Sequence, residues 1–171
     1  MTNTSKQYAL ALFSLASEKK EIEIIYQELN QLIQGLDDDS FKFFLNPKIE
    51  NKEKHQVIEK VLKNQLLINF FKALIDNNRF NFVEEILKAY KELLNESQNI
   101  GELIVFSNKA LSQENKDKLI QKFTKVLNKK IIINEVIQPS IIGGIRIEYQ
   151  GSVIDQTVDA SLEQIKSSLI G

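Results

Sequence analysis

The chain has 171 residues, with 22 Lys+Arg against 23 Asp+Glu and a formal net charge of −1. It has no Cys, no Trp and one His, His55, which excludes a disulfide framework, a thiolate zinc site, a cysteine nucleophile and a multi-histidine metal site. Near-neutral charge argues against a protein built to grip phosphate backbones, and 43% hydrophobic with 26% charged residues is the make-up of an ordinary globular protein. Arginine occurs only at Arg79 and Arg146, and the other basic residues are Lys, as AT-rich codon usage produces. Charge is even along the chain, at −2 over residues 1–100 and +1 over residues 101–171.

No apolar run reaches the roughly 18 residues needed to span a membrane. The start, MTNTSKQ then YALALFSLA then SEKK, loosely copies a signal peptide, but its basic region is weak and Ser14 interrupts the apolar stretch. A helix explains it better. At about 100° per residue, Tyr8, Ala9, Ala11, Leu12, Phe13, Leu15 and Ala16 cover about 200° of circumference. One core needs a stripe only somewhat wider than about 100°. This helix therefore sits centrally in a bundle or keeps a second face for a partner.

Residues 21–36 read as an amphipathic helix through Ile22, Ile25, Leu29, Leu32, Ile33 and Leu36. Asp37-Asp38-Asp39-Ser40 is a turn that caps a short helix with Phe41, Phe44 and Leu45. It is not a calcium loop, because no Gly stands at its sixth position and Lys48 replaces the bidentate Glu. Asn46-Pro47 is a boundary. Asn51 is placed to cap a helix whose apolar side is Val57, Ile58, Val61 and Leu62, with His55 on the polar side. Leu66 to Ile75 form another helix, and Phe80 to Leu94 a long last one.

The period then changes. Leu103-Ile104-Val105-Phe106 is a short strand, Ser112 caps a helix with Leu119, Ile120, Phe123, Val126 and Leu127, and Lys130–Gln138 is β-branched. Gly144–Gln150 alternates, and Gln150-Gly151-Ser152 turns it into Val153-Ile154. A final helix carries Val158, Leu162, Ile165 and Leu169. The fold class expected is α+β: an all-α six-helix bundle over residues 1–100, then a small α+β domain with a short mixed sheet over residues 101–171. The smaller part is marginal alone, since a domain near 60 residues buries only about 60% of its surface, and it is expected to lean on the bundle or a partner.

No residues assemble a catalytic site. Gly143-Gly144 lies in neither a GxxxxGK[ST] nor a GxGxxG pattern and reads as a tight turn before a strand. Glu84 and Glu85 are helix neighbours that point to different faces. Arg79, after Asn77-Asn78, is expected to hold carbonyls or a carboxylate at that turn. No metal or cofactor is expected.

Four segments, in order, carry a resemblance. They are YALALFSLA at 8–16, FFLNPKIENKEK at 43–54, NFFKALIDNNRFNFVEEILKAYKELL at 69–94 and SIIGGIRIEYQGSVID at 140–155. Together they resemble the delta subunit family of the bacterial F-type ATP synthase, the family of the mitochondrial oligomycin-sensitivity-conferring protein. Gln138 and Gln156-Thr157 depart from its usual pattern. The match to the family's first helix sets the signal-peptide reading aside, because cleavage would remove a core element. The resemblance implies a non-catalytic stator that ties the catalytic alpha/beta head to the peripheral stalk and couples proton transport to ATP synthesis. It implies a location on the cytoplasmic face of the bacterial plasma membrane, without insertion into it.

It also implies that the first and fifth helices form a groove for the N-terminal helix of an alpha subunit. Tyr8, Ala11, Leu12 and Leu15 are expected on one wall, and Phe70, Ala73, Leu74 and Asn77 on the other. Val153, Ile154, Leu162 and Ile165 are the candidate contacts with the b subunits. Gly143, Gly144 and Arg79 are expected to shape turns. The alternative is a helical RNA-binding adaptor, which needs a one-sided basic stripe and exposed aromatics. The aromatics fall mostly at core spacing, so no nucleic-acid partner is expected.

Overall fold

A computed structural model describes residues 2–158 and 160 of the chain. They form a mixed α/β structure in two compact units, Met1–Leu94 and Asn95–Gly171. The division falls inside a helix, a few residues before the period changes.

Six α-helices precede the first strand: α1 (Asn3–Glu18), α2 (Ile22–Gln34), α3 (Asp38–Leu45), α4 (Asn51–Val61), α5 (Gln65–Asp76) and α6 (Val83–Ser97). A 3₁₀ turn, Phe80–Phe82, leads into α6. Their ends follow from local chemistry. Thr2 caps α1 through Ser5 N–H, Asp37 Oδ1 caps α3 through Ser40 N–H at 2.8 Å, and Asn64 caps α5 through Leu66 N–H at 2.9 Å. Asn51, expected to cap α4, is its first helical residue; Glu50 is the N-cap and makes no side-chain bond. The Asn51 amide donates instead to Asp76 Oδ1 at 3.1 Å.

Two C-termini close by the same device. After α5, Asn78 takes φ +53°, its N–H donates to Ile75 O and Arg79 N–H to Leu74 O. After α1, Lys20 takes φ +59° with the equivalent bonds to Ser17 O and Ala16 O. Both are Schellman motifs, and Asn is among the few non-Gly residues that favour this left-handed position.

One apolar core draws on all six helices, with Leu12, Ile25, Ile58, Leu67, Phe71, Leu74, Ile86 and Tyr90 almost wholly enclosed. Phe80 is its aromatic hub. It stacks on Phe44 with centroids 4.4 Å apart and meets Phe41 and Phe71 at 5.8 and 6.1 Å. The Tyr90 hydroxyl donates to Ile22 O at 3.1 Å, and burial pushes its pKa well above the ordinary phenol range. In α4 the buried positions are Lys54 and Ile58, followed by Leu62. Val57 and Val61, expected on its apolar side, are 36% and 58% exposed. A lysine thus turns inward where the valines do not, at 4% exposure.

The second unit holds β1 (Ile100–Ser107), α7 (Gln113–Leu127), β2 (Lys130–Ile137), β3 (Gly144–Tyr149) and β4 (Ser152–Thr157), with sheet order β2-β1-β3-β4. β1 and β2 are parallel, which a crossover through α7 makes feasible; β3 is antiparallel to β1, and β4 to β3. β1 alternates cleanly, with Leu103 and Val105 buried and Glu102, Ile104 and Phe106 half-buried. Leu119, Ile120, Phe123 and Leu127 of α7 cover the Leu103 face. On the other face Arg146 stands 4.5 Å over the Phe106 ring, donates to Gln138 Oε1 at 3.2 Å and lies 3.7 Å from Glu148 Oε1.

The hairpin turn uses Gln150 and Gly151 at φ +47° and +82°, the two positive values that a tight right-twisted hairpin asks for. At Gly144, φ is +83° and an added Cβ would fall 2.1 Å from Gln156 O, so only glycine fits. Gly143 O accepts from Val158 N–H at 3.0 Å. Of the final helix read from the sequence, Leu162, Ile165 and Leu169 lie outside the described residues.

Candidate functional site

The expected groove residues divide by helical angle. Each expected wall occupies positions i, i+3, i+4 and i+7, and i+4 lies about 40° to one side of i while i+3 and i+7 lie about 60° and 20° to the other. Leu12 and Leu74, the two i+4 residues, are both 0% exposed. They belong to the core and offer a partner no surface, which corrects their placement on the walls. Tyr8 and Phe70 straddle the border, half-buried, with ring centroids 6.2 Å apart and edge to face. Ala11, Leu15, Ala73 and Asn77 are exposed, Leu15 by 46%. Two outward stripes result, Tyr8-Ala11-Leu15 on α1 and Phe70-Ala73-Asn77 on α5, joined through the Tyr8–Phe70 contact.

A depression of about 470 Å³ opens beside them, lined by Thr4, Gln7, Tyr8, Ala11, Asn77 and Arg79. Thr4 and Gln7 were not singled out from the sequence. Their spacing to Ala11, a full helical turn or two upstream, was the available signal. Asn77 Nδ2 donates to Ala73 O at 2.7 Å, which leaves its side-chain oxygen free to accept. Arg79 departs from expectation. Its backbone N–H, not its guanidinium, serves the turn, donating to Leu74 O at 2.7 Å. The exposed guanidinium lies 5.8 Å from the Phe82 ring centroid.

The start of α1 is held by α6. Glu85 Oε2 accepts from Thr2 N–H at 2.7 Å, Thr2 Oγ1 at 3.1 Å and Ser5 Oγ at 2.9 Å. The Thr2 N–H first, then the Ser5 hydroxyl, hold the Glu85 carboxyl below its ordinary pKa. That tie fixes the end of α1 from which the depression opens.

His55 is less exposed than its place on the polar side suggests. Its side chain is 24% exposed and Nε2 lies 3.0 Å from Asp76 Oδ1, at an angle that falls short of a directed hydrogen bond. Among the described residues no three His, Cys, Asp or Glu side chains could hold a metal ion, and no helix is long and apolar enough to cross a membrane. A second cleft of about 620 Å³ lies among α2, α3 and α4, where the exposed Val57 and Val61 face Leu32, Leu36 and Phe44. In the second unit Val153 and Ile154 are 56% and 44% exposed on the edge strand β4.

A helical unit with a mixed polar and apolar depression beside two exposed stripes, followed by a small sheet unit with exposed apolar edge residues, is the make-up of a protein that binds other proteins. Comparison with known proteins gives it a family. The family model described as ATP synthase delta (OSCP) subunit matches residues 4–169. The ATP synthase subunit delta of Lysinibacillus sphaericus (strain C3-41) is 32% identical, with both chains covered in full. That of Halalkalibacterium halodurans is 32% identical over 97% of this chain and 94% of the relative, and that of Clostridioides difficile (strain 630) 29% identical over 96% and 94%. A chain in the cryo-EM structure of the Toxoplasma gondii mitochondrial ATP synthase hexamer shares the fold with TM-score 0.74, at 19% identity and 99% coverage of both chains.

The chain belongs to the ATP synthase delta (OSCP) subunit family. It is a non-catalytic subunit with a stator, peripheral-stalk role, and the RNA-binding alternative is set aside.

Proposed function

We propose that the groove between α1 and α5 seats the N-terminal helix of an ATP synthase alpha subunit, and that the second unit meets the b subunits of the peripheral stalk. The chain then ties the catalytic head to the stalk at the cytoplasmic face of a bacterial plasma membrane and resists the torque of the rotor. In this reading the helical unit is a six-helix bundle over residues 1–100, and residues 101–171 are the stalk-facing domain.

The observation that carries the reading is the pair of outward stripes. Tyr8, Ala11 and Leu15, with Phe70, Ala73 and Asn77, repeat at three- and four-residue steps; Ala11, Leu15, Ala73 and Asn77 are exposed, and Tyr8 and Phe70 lie half-buried at the border of the core. Helix-in-groove recognition uses anchors at such steps, and Ala11 and Ala73 are small enough to let another backbone come close. For the b subunits the support is narrower: exposed Val153 and Ile154 on an edge strand, with Leu162 and Ile165 outside the described residues.

The test is purification of the ATP synthase with this chain tagged. The alpha, beta and b subunits co-purify if the reading holds. Recovery of alpha and beta without b would remove the stalk contact, and recovery of none would remove the reading altogether.

A further inference from the structure

Among the described residues Arg79 is an arginine that the fold leaves without an ion pair. Of the 22 Lys+Arg in the chain only two are Arg. Arg146 is engaged on Phe106, Gln138 and Glu148. The turn after α5 takes only the backbone N–H of Arg79. No carboxylate lies within ion-pair distance of its guanidinium among the described residues. The Phe82 ring lies beside it at 5.8 Å, a contact that uses no N–H donor.

That guanidinium lies at the wall of the 470 Å³ depression, whose other lining residues, Thr4, Gln7, Tyr8, Ala11 and Asn77, are neutral. A single cation in a neutral, partly apolar groove has a single electrostatic complement. Arg differs from Lys in offering a planar fork of donors that matches a carboxylate with two parallel bonds. A helix laid along the Tyr8 and Phe70 stripes buries its apolar side there. At the Asn77 end it meets a charge that costs free energy to cover unless it is paired.

We propose that Arg79 anchors a carboxylate side chain of the helix that fills the groove, and thereby fixes the register and direction of that helix. The proposal rests on the groove reading above and adds the specificity device to it. The apolar stripes alone tolerate sliding by a helical turn. One charge at one end does not, because a slipped helix leaves both Arg79 and the carboxylate unpaired.

The experiment is calorimetric titration of the full chain with a synthetic peptide of the alpha-subunit N-terminal helix from the same organism. Wild type, Arg79→Gln and Arg79→Lys are each titrated with the native peptide and with peptides in which one Asp or Glu is changed to its amide. The expected result is about ten-fold weaker binding by Arg79→Gln and partial recovery by Arg79→Lys. One amide peptide should lose a similar factor against wild type and almost nothing against Arg79→Gln. Equal affinity of wild type and Arg79→Gln overturns the proposal while leaving the groove in place. Amide peptides that lose equally against both proteins also overturn it. Absence of peptide binding by wild type removes the groove reading, and the anchor with it. The amide series on wild-type protein decides the question even if Arg79→Gln folds poorly.

Discussion

Ala11→Asp separates a binding surface from a core. Ala11 is exposed in the free chain and lines the depression beside Tyr8, Asn77 and Arg79. Nothing packed is lost, so the fold bears only the helix-propensity difference, at most about 0.7 kcal/mol. In the complex the new carboxylate is covered by the incoming helix. Leaving one charge buried and unpaired costs about 3–5 kcal/mol. Arg79 lines the same depression, but its guanidinium is committed to the carboxylate of the incoming helix and returns little. The loss is therefore about 3–5 kcal/mol, at least about 100-fold in affinity for the alpha N-terminal helix. Titration of the full chain with the helix peptide measures it, and circular dichroism melts check that the fold is intact. Equal affinities of wild type and Ala11→Asp, with unchanged melting, would take Ala11 out of the interface and refute the reasoning.

Leu12→Ala and Leu15→Ala should have opposite effects although they are near neighbours: the first destabilises the fold by about 2–5 kcal/mol, and the second leaves melting almost unchanged but weakens peptide binding. Identical melting temperatures for the two would contradict the division of α1 into inner and outer faces. Glu85→Gln should lower the melting temperature at pH 7. Because the folded-state pKa of Glu85 is depressed, its stabilising effect is full above the unfolded value of about 4.3 and is lost as pH falls through the folded value. The gap between wild type and Glu85→Gln therefore closes in acid, and a gap constant with pH would show that the Thr2–Ser5–Glu85 tie does not depend on the charge.

The helices were legible because their apolar residues recur at three and four steps, and the strands because the period shortens after Asn99. The length of β4 was not. Val153-Ile154 marks its start, but Asp155 and Gln156 carry no strand signature. They are extended because β3 pairs with them, in a register that sets Gly144 opposite Thr157. The same holds for α4. Val57 and Ile58 are equally apolar, and packing against the other helices decides which is enclosed. At Arg79 the residue type suggested a capping role, but a backbone N–H in the right conformation performs it without the side chain.

The first helix shows how far periodicity reaches toward a site. With Tyr8 at 0°, Leu12, Ala16, Ala9 and Phe13 fall near 40°, 80°, 100° and 140°, and Leu15 and Ala11 near −20° and −60°. The buried set, Leu12, Ala16 and Ala9, occupies a narrow sector flanked by the half-buried Tyr8 and Phe13. The exposed members of the apolar arc, Leu15 and Ala11, lie on one side, while Leu10, 55% exposed, stands apart near −160°. The α5 helix repeats this division from Phe70: Leu74 and Phe71 turn inward near 40° and 100°, and Asn77 and Ala73 outward near −20° and −60°. The arc width, available from sequence, implied a second partner. Its direction depends on which sector the rest of the core claims, and that is a tertiary fact. Two helices that assign the same offsets to the same sides, and meet at Tyr8 and Phe70, leave a continuous strip of unclaimed surface between them, with Arg79 at its end.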